Sequence, residues 1–179
     1  NQKVLFVEDE DLAREKLGKL LSKLFGDVVL ASNGFEGFEK YQKSRVTNQK
    51  IDLIISDINM PIMNGLEMLE KIREIDPFIP VILTTARNET QNILKAIDLN
   101  VSNYLIKPID TSLLVRKITE VCEKKYFEIE LQDKQKELQT YLDAVDGVAM
   151  IYKMDVDGNI SFANKSLLEI SKYTIEELR

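Results

Sequence analysis

The chain has 179 residues, a net charge of −6 and a pI of about 4.9, with 44% hydrophobic and 30% charged residues. This composition is typical of a globular protein, and the acidic balance without a basic patch argues against direct nucleic-acid binding. No apolar run approaches the ~20 residues that a membrane span requires, and no signal peptide opens the chain. We therefore expect a cytoplasmic protein with no membrane segment.

The residue types that are missing or rare exclude several kinds of chemistry. The chain contains no histidine, which excludes Ser-His-Asp and Cys-His catalysis, histidine metal sites and phosphohistidine in this segment. It contains one cysteine, Cys122, which cannot form an internal disulfide and is predicted to be a half-buried structural thiol. Any nucleophile or metal ligand must therefore be a carboxylate, hydroxyl, lysine or backbone group.

Short apolar runs alternate with longer amphipathic stretches along the first two thirds of the chain. The predicted strands are residues 3–7, 27–31, 51–56, 80–84 and 103–106. The predicted helices are residues 11–25, 33–44 (with Phe35, Phe38 and Tyr41 at helical spacing), 65–75 and 89–99, followed by one from Thr111. Continuous apolar strands separated by helices predict an α/β domain with a five-stranded, parallel, doubly wound sheet.

Polar side chains stand at the carboxyl ends of four of the predicted strands. Glu8 and Asp9 follow the first strand, Asp57 the third, Thr85 the fourth and Lys107 the fifth. Ligands of such sheets bind outside these strand ends, so we expect the five side chains to meet at one edge.

Carboxylates that converge without enough positive charge repel one another, and all-oxygen ligands suit Mg²⁺. A lysine and a hydroxyl beside them complete a phosphoryl-binding site, in which one carboxylate can attack phosphorus. No glycine-rich phosphate loop follows the first strand, which disfavours nucleotide binding by that route.

Five features occur in order at these strand ends. They are the acidic segment VEDE, the segment ASNGFEGFE after the second strand, the stretch SDINMP with Gly65, the pair Thr85-Ala86, and Tyr104 three residues before Lys107-Pro108. Together they resemble the receiver domain of two-component response regulators over residues 3 to about 122. The resemblance implies a flavodoxin-like fold.

The resemblance also implies roles for the acidic residues. Asp57 would be the phosphoacceptor, and Mg²⁺ would be bound by Asp9, Asp57 and the backbone carbonyl of Asn59. Glu8 would assist, through a water molecule. The phosphoryl group would come from a histidine kinase or a histidine phosphotransfer protein.

Three further residues carry expected roles in switching. Lys107 would pair with a phosphoryl oxygen, Thr85 would move to hydrogen-bond another, and Tyr104 would turn inward with it. The family also implies a cis peptide bond before Pro108.

Departures from the family pattern are few. Asn100-Val101 stands where the family often has Gly-Ala, and asparagine tolerates the left-handed conformation of such a turn. Asn59 and Arg87 lie where the family tunes the lifetime of the phosphoryl group.

The stretch from Thr111 to about Val145 contains neither proline nor glycine, which predicts a helix of ~35 residues and ~50 Å. Leu131, Leu138 and Val145 recur every seven residues, with Tyr141 or Leu142 at the alternate position. This spacing favours a parallel coiled-coil homodimer. The alternative is a single amphipathic helix that packs on its own domain.

The last 39 residues resemble the beginning of a PAS domain, a small α+β fold. Residues 148–153 and 160–163 are strand-like, Asp157-Gly158 indicates a hairpin turn, and Asn164 opens a helical run. Asp155, Asp157 and Asn159 lack EF-hand spacing and are predicted to be turn residues. Because so short a segment cannot form a good core, we expect the native protein to continue beyond Arg179.

We therefore expect a receiver domain (residues 1–122), a helical linker (123–145) and the start of a PAS domain (146–179). The expected function is a phosphorylation-dependent switch that is not an enzyme beyond self-phosphorylation from a phosphodonor and slow self-dephosphorylation. A haloacid-dehalogenase-type phosphatase is the alternative, but it requires a second aspartate where Asn59 stands. A receiver that no longer accepts phosphate and acts as a scaffold is a third possibility, which the intact acidic and lysine residues disfavour.

Overall fold

The structure of the protein is a computed structural model, and it describes residues 2–47, 49–86, 90–146 and 149–177. Five parallel strands form one sheet in the order β2-β1-β3-β4-β5. The strands are β1 (Lys3–Val7), β2 (Asp27–Ala31), β3 (Leu53–Asp57), β4 (Val81–Thr85) and β5 (Asn103–Ile106). The intervening helices are α1 (Asp11–Phe25), α2 (Gly34–Val46), α3 (Gly65–Ile75) and α4 (Thr90–Asp98), and α5 (Thr111–Asp146) follows the sheet. The predicted doubly wound, flavodoxin-like fold is confirmed.

The three central strands, β1, β3 and β4, are buried on both faces because they are apolar at successive positions. One face, with Leu5 and Ile54, packs against side chains of α2 and α3 such as Tyr41 and Leu69. The other face packs against α1 and the first part of α5, through residues that include Val4, Phe6, Leu21, Leu114 and Ile118. With both faces covered, only the strand ends are left to carry polar chemistry.

The observed elements differ from the predicted ones by one or two residues at several ends. β3 begins at Leu53 and includes Asp57, and β4 begins at Val81 because Pro80 has no N–H for the ladder. Helix α2 begins at Gly34, with Asn33 as its N-cap. The predicted start of the fourth helix, Glu89, and of the first PAS strand, Val148, lie outside the described residues.

The chain divides into two compact units, residues 1–125 and 126–179, and α5 contributes to both. The second unit contains an antiparallel hairpin of β6 (Tyr152–Met154) and β7 (Ile160–Ala163), followed by α6 (Lys165–Ser171). The buried Asn164 caps α6 and also accepts a hydrogen bond from the Ile151 N–H at 2.8 Å. The strand predicted at residues 148–153 is observed as the shorter β6, which begins at Tyr152 and ends at Met154. The second strand and the start of the helix are as predicted.

Asp155 forms the hairpin turn, as its predicted role requires. Its carboxylate accepts hydrogen bonds from the backbone N–H groups of Asp157 and Asn159. Within the described residues, no helix combines the length and apolar character needed to cross a bilayer.

The loop between β3 and α3 contains a strained turn. The Met63 N–H donates to the Pro61 carbonyl at 2.8 Å, which defines a three-residue γ-turn, and Ile62 at its centre has a φ of 73°. A β-branched residue at positive φ is unfavourable, and Ile62 is 82% exposed, so burial provides little compensation.

We therefore expect Ile62→Asn to raise the free energy of unfolding by about 1 kcal/mol, because asparagine tolerates positive φ. Urea denaturation of the purified chain measures this. Ile62→Val is the matched control, because it keeps the β-branch and should leave stability unchanged. An asparagine variant no more stable than the wild type would contradict the assignment of strain.

Candidate functional site

The carboxyl edge of the sheet brings together the side chains that the sequence singles out. β1 lies between β2 and β3, and β4 lies between β3 and β5, so the ends of β1, β3, β4 and β5 are neighbours. Asp57 is opposite Thr84 in the ladder, and the Lys107 N–H donates to the Thr85 carbonyl at 2.8 Å. The backbone register therefore fixes the relative positions of these strand ends.

Three carboxylates converge at this edge. Glu8, Asp9 and Asp57 each offer an oxygen, and the three oxygens lie within 4.8 Å of one another. Glu8 and Asp57 are buried, with 1% and 5% exposure, whereas Asp9 is exposed and opens the cluster to solvent. An all-oxygen, strongly negative set with one open side fits Mg²⁺. Asn59, exposed in the loop two residues after Asp57, offers its backbone carbonyl nearby in the chain.

Lys107 is the positive charge at the centre of the site. Its Nζ lies 2.7 Å from Oδ2 of Asp57 and 3.0 and 3.1 Å from the two carboxylate oxygens of Glu8. Burial lowers the pKa of Lys107, but the hydrogen bonds to Asp57 and Glu8 outweigh this effect, so its pKa is raised and it is charged at neutral pH. The peptide bond between Lys107 and Pro108 is cis, as predicted.

One lysine does not fully compensate the two buried acids. Burial raises the pKa of Glu8 above its ordinary value, and the charge of Asp57 adds to this, while the hydrogen bond and charge of Lys107 act in the opposite direction. The net direction is upward, so the effect of burial on the Glu8 pKa outweighs the stabilisation of its charge by Lys107.

The two proposed switch residues lie on adjacent strands with different exposure. Thr85 ends β4 with 1% exposure, and its hydroxyl donates to the Ala86 carbonyl at 3.3 Å. Tyr104 is 47% exposed on β5, opposite Leu83 in the ladder. Tyr104 is therefore outward in this structure. Arg87 lies outside the described residues.

Close backbone contacts hold the loop that follows Asp57. A Cβ on Gly65 would lie 2.1 Å from the Asp57 carbonyl oxygen, and a Cβ on Gly34 would lie 2.5 Å from the Met63 carbonyl oxygen. The N–H of Gly65 donates to the Ile58 carbonyl at 2.8 Å, and that of Gly34 donates to Met63 at 3.0 Å. Only glycine permits these approaches. The sequence indicated Gly65, whereas the role of Gly34 became visible only in the structure.

Sequence reasoning also missed Arg14. Its guanidinium donates to the backbone carbonyls of Glu8 and Asp9, at 2.7 and 3.1 Å. The available signal was an arginine one turn into the helix that follows the acidic pair, which is too common a pattern to identify a role.

Comparison with known proteins assigns the first unit. The family model of the response regulator receiver domain matches residues 4–119. Chemotaxis protein CheY1 of Helicobacter pylori is 34% identical over 119 residues, which are 65% of this chain and 93% of that protein. The N-terminal domain of an uncharacterized protein from Wolinella succinogenes superposes with a TM-score of 0.65 at 34% identity, covering 72% of this chain and 99% of that one.

A longer relative extends the similarity along the chain. A cyclic di-GMP phosphodiesterase of Thermotoga maritima is 28% identical over 146 residues, which are 82% of this chain. The chain spans only 38% of that relative's length.

Proposed function

This chain belongs to the response regulator receiver domain family, and from that premise we propose that Asp57 accepts a phosphoryl group with the help of Mg²⁺. Receiver domains act in phosphorylation-dependent signalling. The observation that carries the proposal is the position of Asp57, which is buried at a strand end with Lys107 on one carboxylate oxygen. The proposed donor is a histidine kinase or a histidine phosphotransfer protein.

In the proposed transfer, an oxygen of the Asp57 carboxylate attacks phosphorus. The bond between phosphorus and the donor's imidazole nitrogen breaks, and the imidazole leaves with the bonding electron pair and takes up a proton from solvent. A rigid strand end suits this step because the nucleophile needs no reorganisation. Lys107 is already 2.7 Å from Asp57, so a short movement would bring its ammonium to a phosphoryl oxygen.

Asp9, Asp57 and the backbone carbonyl of Asn59 would hold Mg²⁺, and Glu8 would contribute through a water molecule. When bound, the ion would neutralise charge on the phosphoryl oxygens. The all-oxygen character of the cluster and the convergence of its three carboxylates support this assignment.

The switch would follow from the new charge. A phosphoryl group carries about −1.5 to −2 charges and three acceptor oxygens, which would draw in Lys107 and the hydroxyl of Thr85. Tyr104, now exposed on the neighbouring strand, would then turn inward beside Thr85.

Three other functions have less support. A haloacid-dehalogenase-type phosphatase needs an acid-base aspartate two residues after the nucleophile, and Asn59 stands there. The match to the relative named a phosphodiesterase covers only 38% of that protein. Its name therefore gives no reason to assign phosphodiesterase activity to this chain. A scaffold without phosphoacceptance would not need two buried acids paired with Lys107. We therefore propose that turnover is limited to self-phosphorylation and slow self-dephosphorylation.

We expect Asp57→Asn to abolish modification by acetyl phosphate in the presence of Mg²⁺, because the amide cannot form the acyl phosphate. Intact-mass spectrometry should show one added phosphoryl group on the wild type and none on the variant. Asp98→Asn, an exposed aspartate on α4, is the control and should be modified like the wild type. Undiminished labelling of the Asp57 variant would assign the phosphoacceptor elsewhere.

We expect Lys107→Ala to accept the phosphoryl group but to lose the change at Tyr104, because the lysine contact differs between the two states. Hydrogen exchange of the amides around Tyr104, with and without beryllofluoride, measures this. Removing one partner of a buried ion pair lowers stability by about 3–5 kcal/mol, because the other charge is left uncompensated. The measurement should therefore be made in saturating Mg²⁺, which would supply positive charge to the carboxylates. A wild-type exchange response in the variant would refute the role of Lys107.

We also propose that the second part of α5 forms a parallel dimer. Every apolar side chain along its heptad seam is exposed in the single chain: Phe127, Leu131, Leu138, Tyr141 and Val145, with exposures from 36% to 64%. An exposed apolar stripe at seven-residue spacing is what a second helix would cover. Lys134 occupies one seam position and pairs with Glu137 of the same helix at 2.9 Å, so the seam is short and the dimer is expected to be weak.

The hairpin and α6 fit the proposed start of a PAS domain, to which α5 would relay the signal. The proposed limits remain residues 1–122 for the receiver, 123–145 for the linker and 146–179 for the PAS segment. The turn at Asp155 and the cap at Asn164 support this assignment.

We expect Leu131→Asp combined with Leu138→Asp to give a folded monomer, because aspartate would be buried in the seam. Light scattering over a concentration series, with and without beryllofluoride, measures the association. Ile129→Asp is the control. Ile129 is 49% exposed and lies on the opposite side of the helix from the seam, so this substitution should leave the dimer intact. A wild-type chain that stays monomeric at every concentration would favour a single helix.

A further inference from the structure

Arg14 is a largely buried cation that contacts the turn carrying Glu8 and Asp9 and the first residue of α1. Its side chain is 19% exposed, although its partner Asp11 is 89% exposed. One nitrogen, Nη1, donates to the carbonyl oxygens of both Glu8 and Asp9, and Nη2 pairs with the Asp11 carboxylate. The planar guanidinium thus holds two peptide groups of the turn, those of Glu8 and Asp9, and also pairs with one carboxylate at the start of α1.

The rest of the turn has few other restraints. The Glu8 N–H continues the sheet by donating to the Ala31 carbonyl at 3.1 Å, which fixes the strand side of the turn. On the helix side, the N-cap residue Glu10 makes no side-chain capping hydrogen bond. Asp9 stands between these ends with an exposed side chain, so the backbone beneath it determines where its carboxylate lies. Arg14 does not cap the helix, because a guanidinium only donates hydrogen bonds, but it restrains the turn through the carbonyl groups of Glu8 and Asp9.

We propose that Arg14 is a positioning residue for the metal site: it fixes the Glu8-Asp9 turn so that the Asp9 carboxylate faces Asp57. The inference rests on the Mg²⁺ site proposed above. Mg²⁺ requires nearly ideal octahedral geometry at 2.0–2.1 Å, so a small displacement of one ligand weakens binding. Removing a group that orients a metal ligand typically lowers metal affinity 10–100-fold.

The charge of Arg14 acts in the opposite direction. A cation close to the acidic cluster repels Mg²⁺, although the ion pair with Asp11 offsets this repulsion. If charge dominated, removing Arg14 would strengthen Mg²⁺ binding. If positioning dominates, as we infer, removing it weakens binding even though a repulsive charge is lost. The sign of the change therefore separates the two effects.

Isothermal titration of the 179-residue chain with MgCl₂ tests the proposal, with thermal unfolding as a check on folding. Arg14→Met removes the charge and the hydrogen bonds, whereas Arg14→Lys keeps the charge but loses the planar fork. Asp11→Asn removes the ion pair and leaves the carbonyl contacts in place. Arg116→Met is the matched control, because this arginine pairs with Glu120 one turn away on α5, outside the site.

We expect Arg14→Met and Arg14→Lys both to weaken Mg²⁺ binding by about tenfold or more. Arg116→Met should bind Mg²⁺ as the wild type does, and Asp11→Asn should weaken binding less than either Arg14 variant, because it loses a nearby negative charge but keeps the carbonyl contacts. If Arg14→Met is unstable, the lysine variant decides, because it is the milder change. A merely structural role would lower the unfolding temperature and leave the Mg²⁺ affinity of the folded protein unchanged.

The negative outcomes have different meanings. Unchanged or tighter binding in both folded Arg14 variants would overturn the role of Arg14 and leave the metal site standing. A wild type that binds no Mg²⁺ would overturn the metal site of the proposed function, and the inference about Arg14 with it.

Discussion

The site depends on the burial of two like charges at the edge of one sheet. Glu8 and Asp57 are almost completely removed from water, which is unfavourable unless positive charge compensates them. Lys107 reaches both and supplies one charge. Three carboxylates and one ammonium leave a net charge of −2, and a divalent cation would bring the site to neutrality. A phosphoryl group on Asp57 would add negative charge again, and this charge would attract the ammonium of Lys107 and the hydroxyl of Thr85.

This charge arrangement requires a rigid backbone. The carboxylates are held at fixed separation because β1 and β3 are paired in the sheet, with Phe6 opposite Ile55. Behind Asp57, the loop is pressed so closely against Gly65 that no larger residue fits. Ile62 keeps its positive φ because these contacts determine the conformation of the loop. The intrinsic preference of isoleucine for negative φ is overridden.

The sequence predicted most of the fold and the members of the site, but not the contacts that support it. Apolar runs located the strands because both faces of the sheet are covered, and polar residues at strand ends then identified the edge. Contacts between distant segments have no such periodic signal, as with Gly34 against Met63. Helical spacing also misled in part: Phe35 belongs to the predicted apolar face of α2, yet it is 48% exposed because only Phe38 and Tyr41 turn toward the sheet.

Helix α5 illustrates how one element can serve two surfaces. Leu114, Ile118 and Val121 form a buried stripe that packs against the sheet. The second half has its exposed apolar side chains at seven-residue spacing from Leu131. Each half of the helix therefore carries an apolar stripe of its own. The first face is covered within the receiver, and the exposure of the second is the reason for proposing that a second copy of the chain covers it.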